Sequence, residues 1–245
     1  MHLKILGCGT IIAQKPCARC SGYLIDDRLL IDCGPGIWHA LCNIEDGIQK
    51  IKMILISHFH VDHTSDLDAI MMTQYLAKQN LNEPLIIAGP NGIMDWFEDL
   101  KRVVGHWIHD FNLKLIEIDQ EIQVLEYHIR ARKTGHTDNS LCYRITDRLN
   151  KSVFYSGDSD FEQNLIFLAN QANLAIIESS NTENSKIKGH LTPQLAGEIA
   201  SKASVKKLLL THMYPEVKAV NALLLASKWY NGEIVIAQEG LQFSI

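Results

Sequence analysis

No apolar run in this chain is long enough to cross a bilayer, so a membrane-spanning helix is not expected. The opening residues, Met1-His2-Leu3-Lys4-Ile5-Leu6, place no long apolar core behind a basic head, and a secretory signal is not expected. Repeats, low-complexity tracts and linkers are missing too. The 245 residues therefore read as a single domain, 1–245, large enough to bury a sizeable core. Positive charge is short: 23 Lys and Arg against 28 Asp and Glu leave a net charge of -5, which argues against a basic surface that coats nucleic acid. A second Cys-x-x-Cys pair is absent as well. Cys17-Ala18-Arg19-Cys20 has the spacing of a zinc knuckle but nothing to complete four ligands. The six cysteines are accordingly expected to be reduced thiols in a cytoplasmic protein rather than a disulfide frame.

What is present concentrates in Ser57-His58-Phe59-His60-Val61-Asp62-His63-Thr64, where four metal-ligating side chains fall within residues 58–63. The apolar run Met53-Ile54-Leu55-Ile56 before it reads as a buried strand. If that strand geometry continued, His58 and His60 would share a face. A turn after Val61 would aim Asp62 and His63 at a second point nearby. Nitrogen and oxygen donors without a thiolate suit two adjacent divalent cations of the zinc type.

Further candidates stand at the ends of apolar strands. His136 lies in the loop Thr134-Gly135-His136-Thr137-Asp138-Asn139, and Asp158 follows Val153-Phe154-Tyr155-Ser156-Gly157. Glu178 follows Leu174–Ile177, and His212 follows Leu208–Thr211. His190 precedes Thr192-Pro193, a good helix start with Thr as cap and Pro in the first turn. Asn91 is expected to cap a helix running to about Val104. His106 and His109 lack a carboxylate partner at useful spacing, and packing or surface roles are expected for them. Short strands fill the first third, and helix and strand alternate after Phe161, an α/β pattern in which loops at strand ends build the site.

Five stretches carry a resemblance: Ile31-Asp32-Cys33-Gly34-Pro35-Gly36, Ser57 to Thr64, Tyr155-Ser156-Gly157-Asp158-Ser159, Gly189-His190-Leu191-Thr192 and Leu210-Thr211-His212. Together they resemble the metallo-β-lactamase superfamily, and within it the ribonuclease Z branch. The resemblance implies a four-layered αββα sandwich with a metal pair at one edge of its two sheets. By that resemblance His58, His60 and His136 hold one ion, Asp62, His63 and His212 the other, and Asp158 bridges them. The ions, zinc first with manganese or iron as alternatives, lower the pKa of a shared water. Asp62 takes up or orients its proton, His190 protonates the leaving oxygen, and Glu178 orients His190.

The chain departs from ribonuclease Z in one large respect. The arm that grips precursor tRNA falls between the His136-type and Asp158-type motifs, and only one hairpin separates them here. The expected substrate is therefore a small phosphodiester or a nucleic-acid end. Hydrolysis of a carboxylic ester, thioester or lactone is the competing reading, a binding protein on a decayed site a weaker third. His60 speaks against a di-iron dioxygen-reducing protein, which carries a carboxylate at that place. The assembly can be a monomer or a homodimer.

Overall fold

Strands that are apolar on both faces need cover on both sides, and this chain arranges that twice. The computed structural model describes residues 1–13, 15, 17–78, 83–105, 107, 108 and 111–245. The expectations for His106 and His109 lie outside the described residues. The first half runs β1 (His2–Gly7), β2 (Gly22–Ile25), β3 (Leu29–Ile31), α1 (Ile37–Cys42), β4 (Met53–Leu55), α2 (Val61–Thr64), α3 (Leu67–Leu76), β5 (Leu85–Gly89), α4 (Ile93–Val104) and β6 (Leu113–Glu117). The second runs β7 (Glu121–Val124), β8 (Tyr127–Lys133), β9 (Leu141–Thr146), β10 (Ser152–Tyr155), α5 (Gln163–Ala169), β11 (Leu174–Glu178), α6 (Pro193–Lys202), β12 (Lys207–Thr211), α7 (Ala219–Ala226), β13 (Glu233–Ile236) and β14 (Gln242–Ser244).

Two mixed sheets result, ordered β14-β1-β2-β3-β4-β5-β6 and β13-β12-β11-β10-β9-β8-β7. Alternation along each strand divides the apolar residues between two layers. In β11, Leu174 and Ile176 enter the core between the sheets, while Ala175 and Ile177 meet α5 to α7. The outer face of the first sheet packs on α1, α3 and α4 through Leu30, Ile54, Ile70 and Phe97. The layers are thus helix, sheet, sheet, helix, the four-layered αββα sandwich expected. Four tyrosines in the inner core are fully or almost fully buried, and each hydroxyl finds a partner, as a buried phenol must. Tyr143 donates to the Ile56 carbonyl at 2.6 Å, Tyr155 to Asp32 at 2.7 Å, and Tyr23 pairs with Thr211 at 2.6 Å, tying the two sheets together beneath the site.

Three expectations need correction. Cys8 and Cys17 form a disulfide, with Cα atoms 5.4 Å apart, so the cysteines are not all free thiols. The loop after β1 folds back over the end of β12, where the Cys8 carbonyl accepts from the His212 amide, and this return brings Cys17 onto Cys8. Cys20 remains a buried thiol donating to the Thr10 carbonyl, which ends the zinc-knuckle reading of Cys17 and Cys20. The disulfide also removes the thiol argument for a reducing compartment. At α4 the cap is Gly92, at φ 90°, and Asn91 instead donates its side-chain amide to Glu117 at 2.7 Å. Finally, β4 stops at Leu55, so His58 and His60 are carried by an irregular loop and not by continuing strand geometry. Among the described residues no helix is long and apolar enough to cross a membrane.

Candidate metal centre

Every residue singled out at the strand ends comes to one edge of the sandwich. The loop after β4 brings His58 and His60, and the single turn of α2 adds Asp62 and His63. The β8–β9 loop brings His136, and the ends of β10, β11 and β12 bring Asp158, Glu178 and His212. His190 enters just before α6, whose Thr192 cap accepts from the Leu195 amide as expected.

Among the overlapping groups of donors able to hold a metal ion are His58, His60 and His136, and Asp62, His63 and His212, while a third, His58, His63 and Asp158, links the two. In the first, His60 Nδ1 lies 3.2 Å from His58 Nε2 and 3.0 Å from His136 Nε2. Three imidazole nitrogens aimed at one small volume cannot all be satisfied by one another; a shared cation satisfies them. In the second, His212 Nε2 lies 3.4 Å from Asp62 Oδ2. Asp158 stands between the sets. Its Oδ2 is 3.9 Å from His58 and 3.8 Å from His136, and its Oδ1 is 3.5 Å from both His63 and His212. Asp158 Oδ1, His63 Nε2 and His212 Nε2 are buried with no hydrogen-bond partner among the described residues. Such orphaned donors and acceptors are costly unless an ion completes them, and N/O donors suit a divalent cation. The residues present fit a metal pair. An overlapping set, Asp158, Glu178, His190 and His212, also converges, but Glu178 is already engaged on three sides.

The local charges prepare the donors. Burial above all, with the positive neighbour His63, lowers the His58 pKa well below the histidine range, which keeps its lone pair free. Burial opposes charge on Asp158 and Asp62, yet His212 and His63 outweigh it and hold both well below the usual carboxylate range. At His190 burial likewise opposes the cation, but the Glu178 carboxylate, aided by Asp158 and Asp62, lifts the imidazole to about 9.

Orienting contacts fix which nitrogen each histidine offers. His136 Nδ1 donates to the Gly189 carbonyl at 2.9 Å, leaving Nε2 for the centre. Gly189 is needed there: at φ 89° an added Cβ would also sit 3.1 Å from His136 Nδ1. His190 Nδ1 donates to Glu178 at 3.3 Å. Glu178 is fully buried, accepts the Ser159 amide at 2.6 Å and receives the Ser180 hydroxyl. A strand-end surface charge is thereby excluded for it.

Two functional residues carried no role in the sequence reading. Asp32, fully buried at φ 55° after β3, accepts from His63 Nδ1 at 2.7 Å, Ser57 Oγ at 2.8 Å and Tyr155 at 2.7 Å. Its signal was a carboxylate directly after the apolar strand Leu29–Ile31, the same pattern that marked Asp158. Ser180 joins Glu178 to His212, with its hydroxyl 3.0 Å from His212 Nδ1; no sequence pattern marks a lone serine for that task. Asp32→Ala is expected to weaken metal affinity by about 10–100-fold, because His63 loses the partner that orients it. Competition against a chromogenic chelator measures this; unchanged affinity would reduce Asp32 to a packing role.

The centre opens into a cavity of about 380 Å³ walled by Ile11, Phe59, Val61 and Tyr214 around His60, Asp62, Asp158 and His190. A two-sheet αββα sandwich with this donor cluster at one edge defines a metal-dependent hydrolase of the metallo-β-lactamase type. Residues 27–213 match the family model described as the beta-lactamase superfamily domain, and the chain belongs to that family. It is 28% identical to the probable metallo-hydrolase YhfI of Bacillus subtilis, over 98% of both proteins. The crystal structure of YhfI superimposes with a TM-score of 0.87 at 26% identity, covering 99% of this chain and 98% of that one. A ribonuclease Z of Methanothermobacter thermautotrophicus is 27% identical over 93% of this chain and 91% of its own length. Human tRNase Z, short form, shares the fold with a TM-score of 0.78 at 20% identity, over 100% of this chain and 99% of that one.

Proposed function

We propose that residues 1–245 act as one hydrolase domain, a phosphodiesterase that works with two divalent ions, zinc first among them. The observation that carries the reading is Asp158, which turns one oxygen to each of two ligand sets. His58, His60 and His136 would hold one ion and Asp62, His63 and His212 the other, with Asp158 shared. When bound, such a pair supplies a nucleophile from water near neutral pH and neutralises charge on the attacked group. The protein's residues do the rest. Asp62, kept ionised beside His212, accepts or orients the proton of the attacking water. His190 lines the cavity with Nδ1 bound to Glu178, so Nε2 is the nitrogen left to protonate the leaving oxygen.

Phosphodiesters are favoured over carboxylic esters, thioesters and lactones because His190, paired with Glu178, stands where the resemblance to ribonuclease Z assigns the leaving-group acid. Kinship with proteins named ribonuclease Z supports the same class. The test is a metal-loaded assay against an aryl phosphodiester and a lactone. Faster turnover of the lactone, with no sensitivity to His190, would move the reading to the ester class.

Precursor tRNA is expected to be a poor substrate. Between the His136 loop and Asp158 the chain makes only the β9–β10 hairpin, turned by residues 147–151. Nothing in that interval reaches out to hold a tRNA body, so binding would rest on few phosphate contacts. Side-by-side cleavage of a precursor tRNA and an aryl diester, at one salt and metal concentration, checks this; efficient and site-specific tRNA processing would contradict it.

A further inference from the structure

A larger cavity than the one at the metal centre, about 600 Å³ against 380 Å³, lies on the outer face of the second sheet. It sits by the start of β10 and the end of α5, opposite to the strand ends that carry His136 and Asp158. Across β8 and β9, Arg130 and Arg144 are directly paired. Like charges directly opposed on adjacent strands repel and destabilise the pair. Lys206 adds a third cation, and among the described residues no carboxylate lines the cavity, in a chain whose net charge is -5.

The cations are not equally occupied. The Arg144 guanidinium donates to the Leu168 and Asn170 carbonyls at 2.9 and 2.7 Å and to Ser152 at 2.9 Å, which pins it and leaves two N–H groups over. Neither the Arg130 guanidinium nor the Lys206 ammonium has a hydrogen bond or ion pair among the described residues. Glu121, across from Arg130 on β7, is turned to His128 at 3.2 Å. Phe167 stands 57% exposed on the wall with Arg132 on one face of its ring, 5.6 Å from the centroid. Asn173, whose carbonyl oxygen is held by the Ser152 amide, keeps its NH₂ group free to donate.

We propose that this cavity binds a phosphate-bearing small molecule of mononucleotide size. Arg130 and Lys206 take the phosphate as charge-assisted donors, Phe167 offers a flat apolar surface to a ring, and Asn173 meets polar edges. The volume suits it, since small-molecule sites run from about 300 to 1,000 Å³. The site is independent of the reaction at the metal centre.

The test is calorimetric titration of AMP into the metal-replete protein, its Arg130→Gln and Lys206→Gln variants, and adenosine as the phosphate-free control. A phosphomonoester can also reach the metal centre, so the reading is the difference between wild type and variant, with aryl diester turnover followed in each. Arg130→Gln should weaken AMP binding by about tenfold or more, the scale of one charged contact, and leave turnover unchanged. Lys206→Gln should weaken it several-fold, and adenosine should bind at least tenfold less tightly than AMP. Without AMP, Arg130→Gln should melt no lower than wild type, because it relieves the repulsion; a purely structural Arg130 would lower the melting temperature. AMP binding equal in wild type and Arg130→Gln would place all binding at the metals and overturn the proposal. So would Arg130-dependent binding of a trinucleotide RNA without binding of AMP, which would make the surface a nucleic-acid track.

Discussion

Asp158→Ala is expected to take bound metal from two ions per chain to one or fewer and to abolish diester hydrolysis. Its two oxygens face different ligand sets, at 3.5–3.9 Å from His58, His136, His63 and His212, and among the described residues no other carboxylate is shared this way. Without it the first set consists of three imidazoles, and two cations would face each other with no anion between them. Generation of the nucleophile and neutralisation of phosphate charge fail together, each worth several kcal/mol, so activity should fall by about 10³-fold or more. Elemental analysis beside the assay checks this. An Asp158→Ala protein that kept two ions and a tenth of its activity would remove Asp158 from the bridging place.

The second large effect separates the leaving groups. His190→Ala should slow diesters with an alkyl or ribose leaving group by about 10²–10⁴-fold, the usual worth of general-acid assistance. That is roughly 3–5 kcal/mol at about 1.4 kcal/mol per decade. A nitrophenolate departs without a proton, so its diester should be slowed far less, with metal content unchanged. Glu178→Gln should show the same leaving-group bias in weaker form, by about 10–100-fold, because it acts on the orientation and charge of His190. Equal losses on both diesters would refute the acid role of His190. Loss of metal from Glu178→Gln would place Glu178 among the ligands.

Much of this centre was legible because its chemistry is local. His58, His60, Asp62 and His63 lie in one loop and one helical turn, and Asp158, Glu178 and His212 each close an apolar strand. A strand leaves its last side chain at the sheet edge, so polar residues there announce themselves. Thr192-Pro193 was equally readable, since cap and first turn are set by neighbours in the chain. What stayed hidden depends on distant contacts. Asp32 earns its role only when β4 and β10 bring Ser57, His63 and Tyr155 around it. Cys17 meets Cys8 only because the loop between them folds over β12, a return that spacing does not encode. Likewise β14 pairs with β1 from the far end of the chain. The cap at Gly92 rather than Asn91 reflects Glu117, which draws the Asn91 side chain away.

The most direct measurement is a titration of metal-stripped protein with zinc, reading bound ions and aryl diester turnover in the same samples. Two sets that share Asp158 predict turnover that rises mainly with the second equivalent, saturates at two ions per chain, and disappears reversibly on chelation. Full activity at one ion per chain, or none at two, would contradict the dinuclear phosphodiesterase.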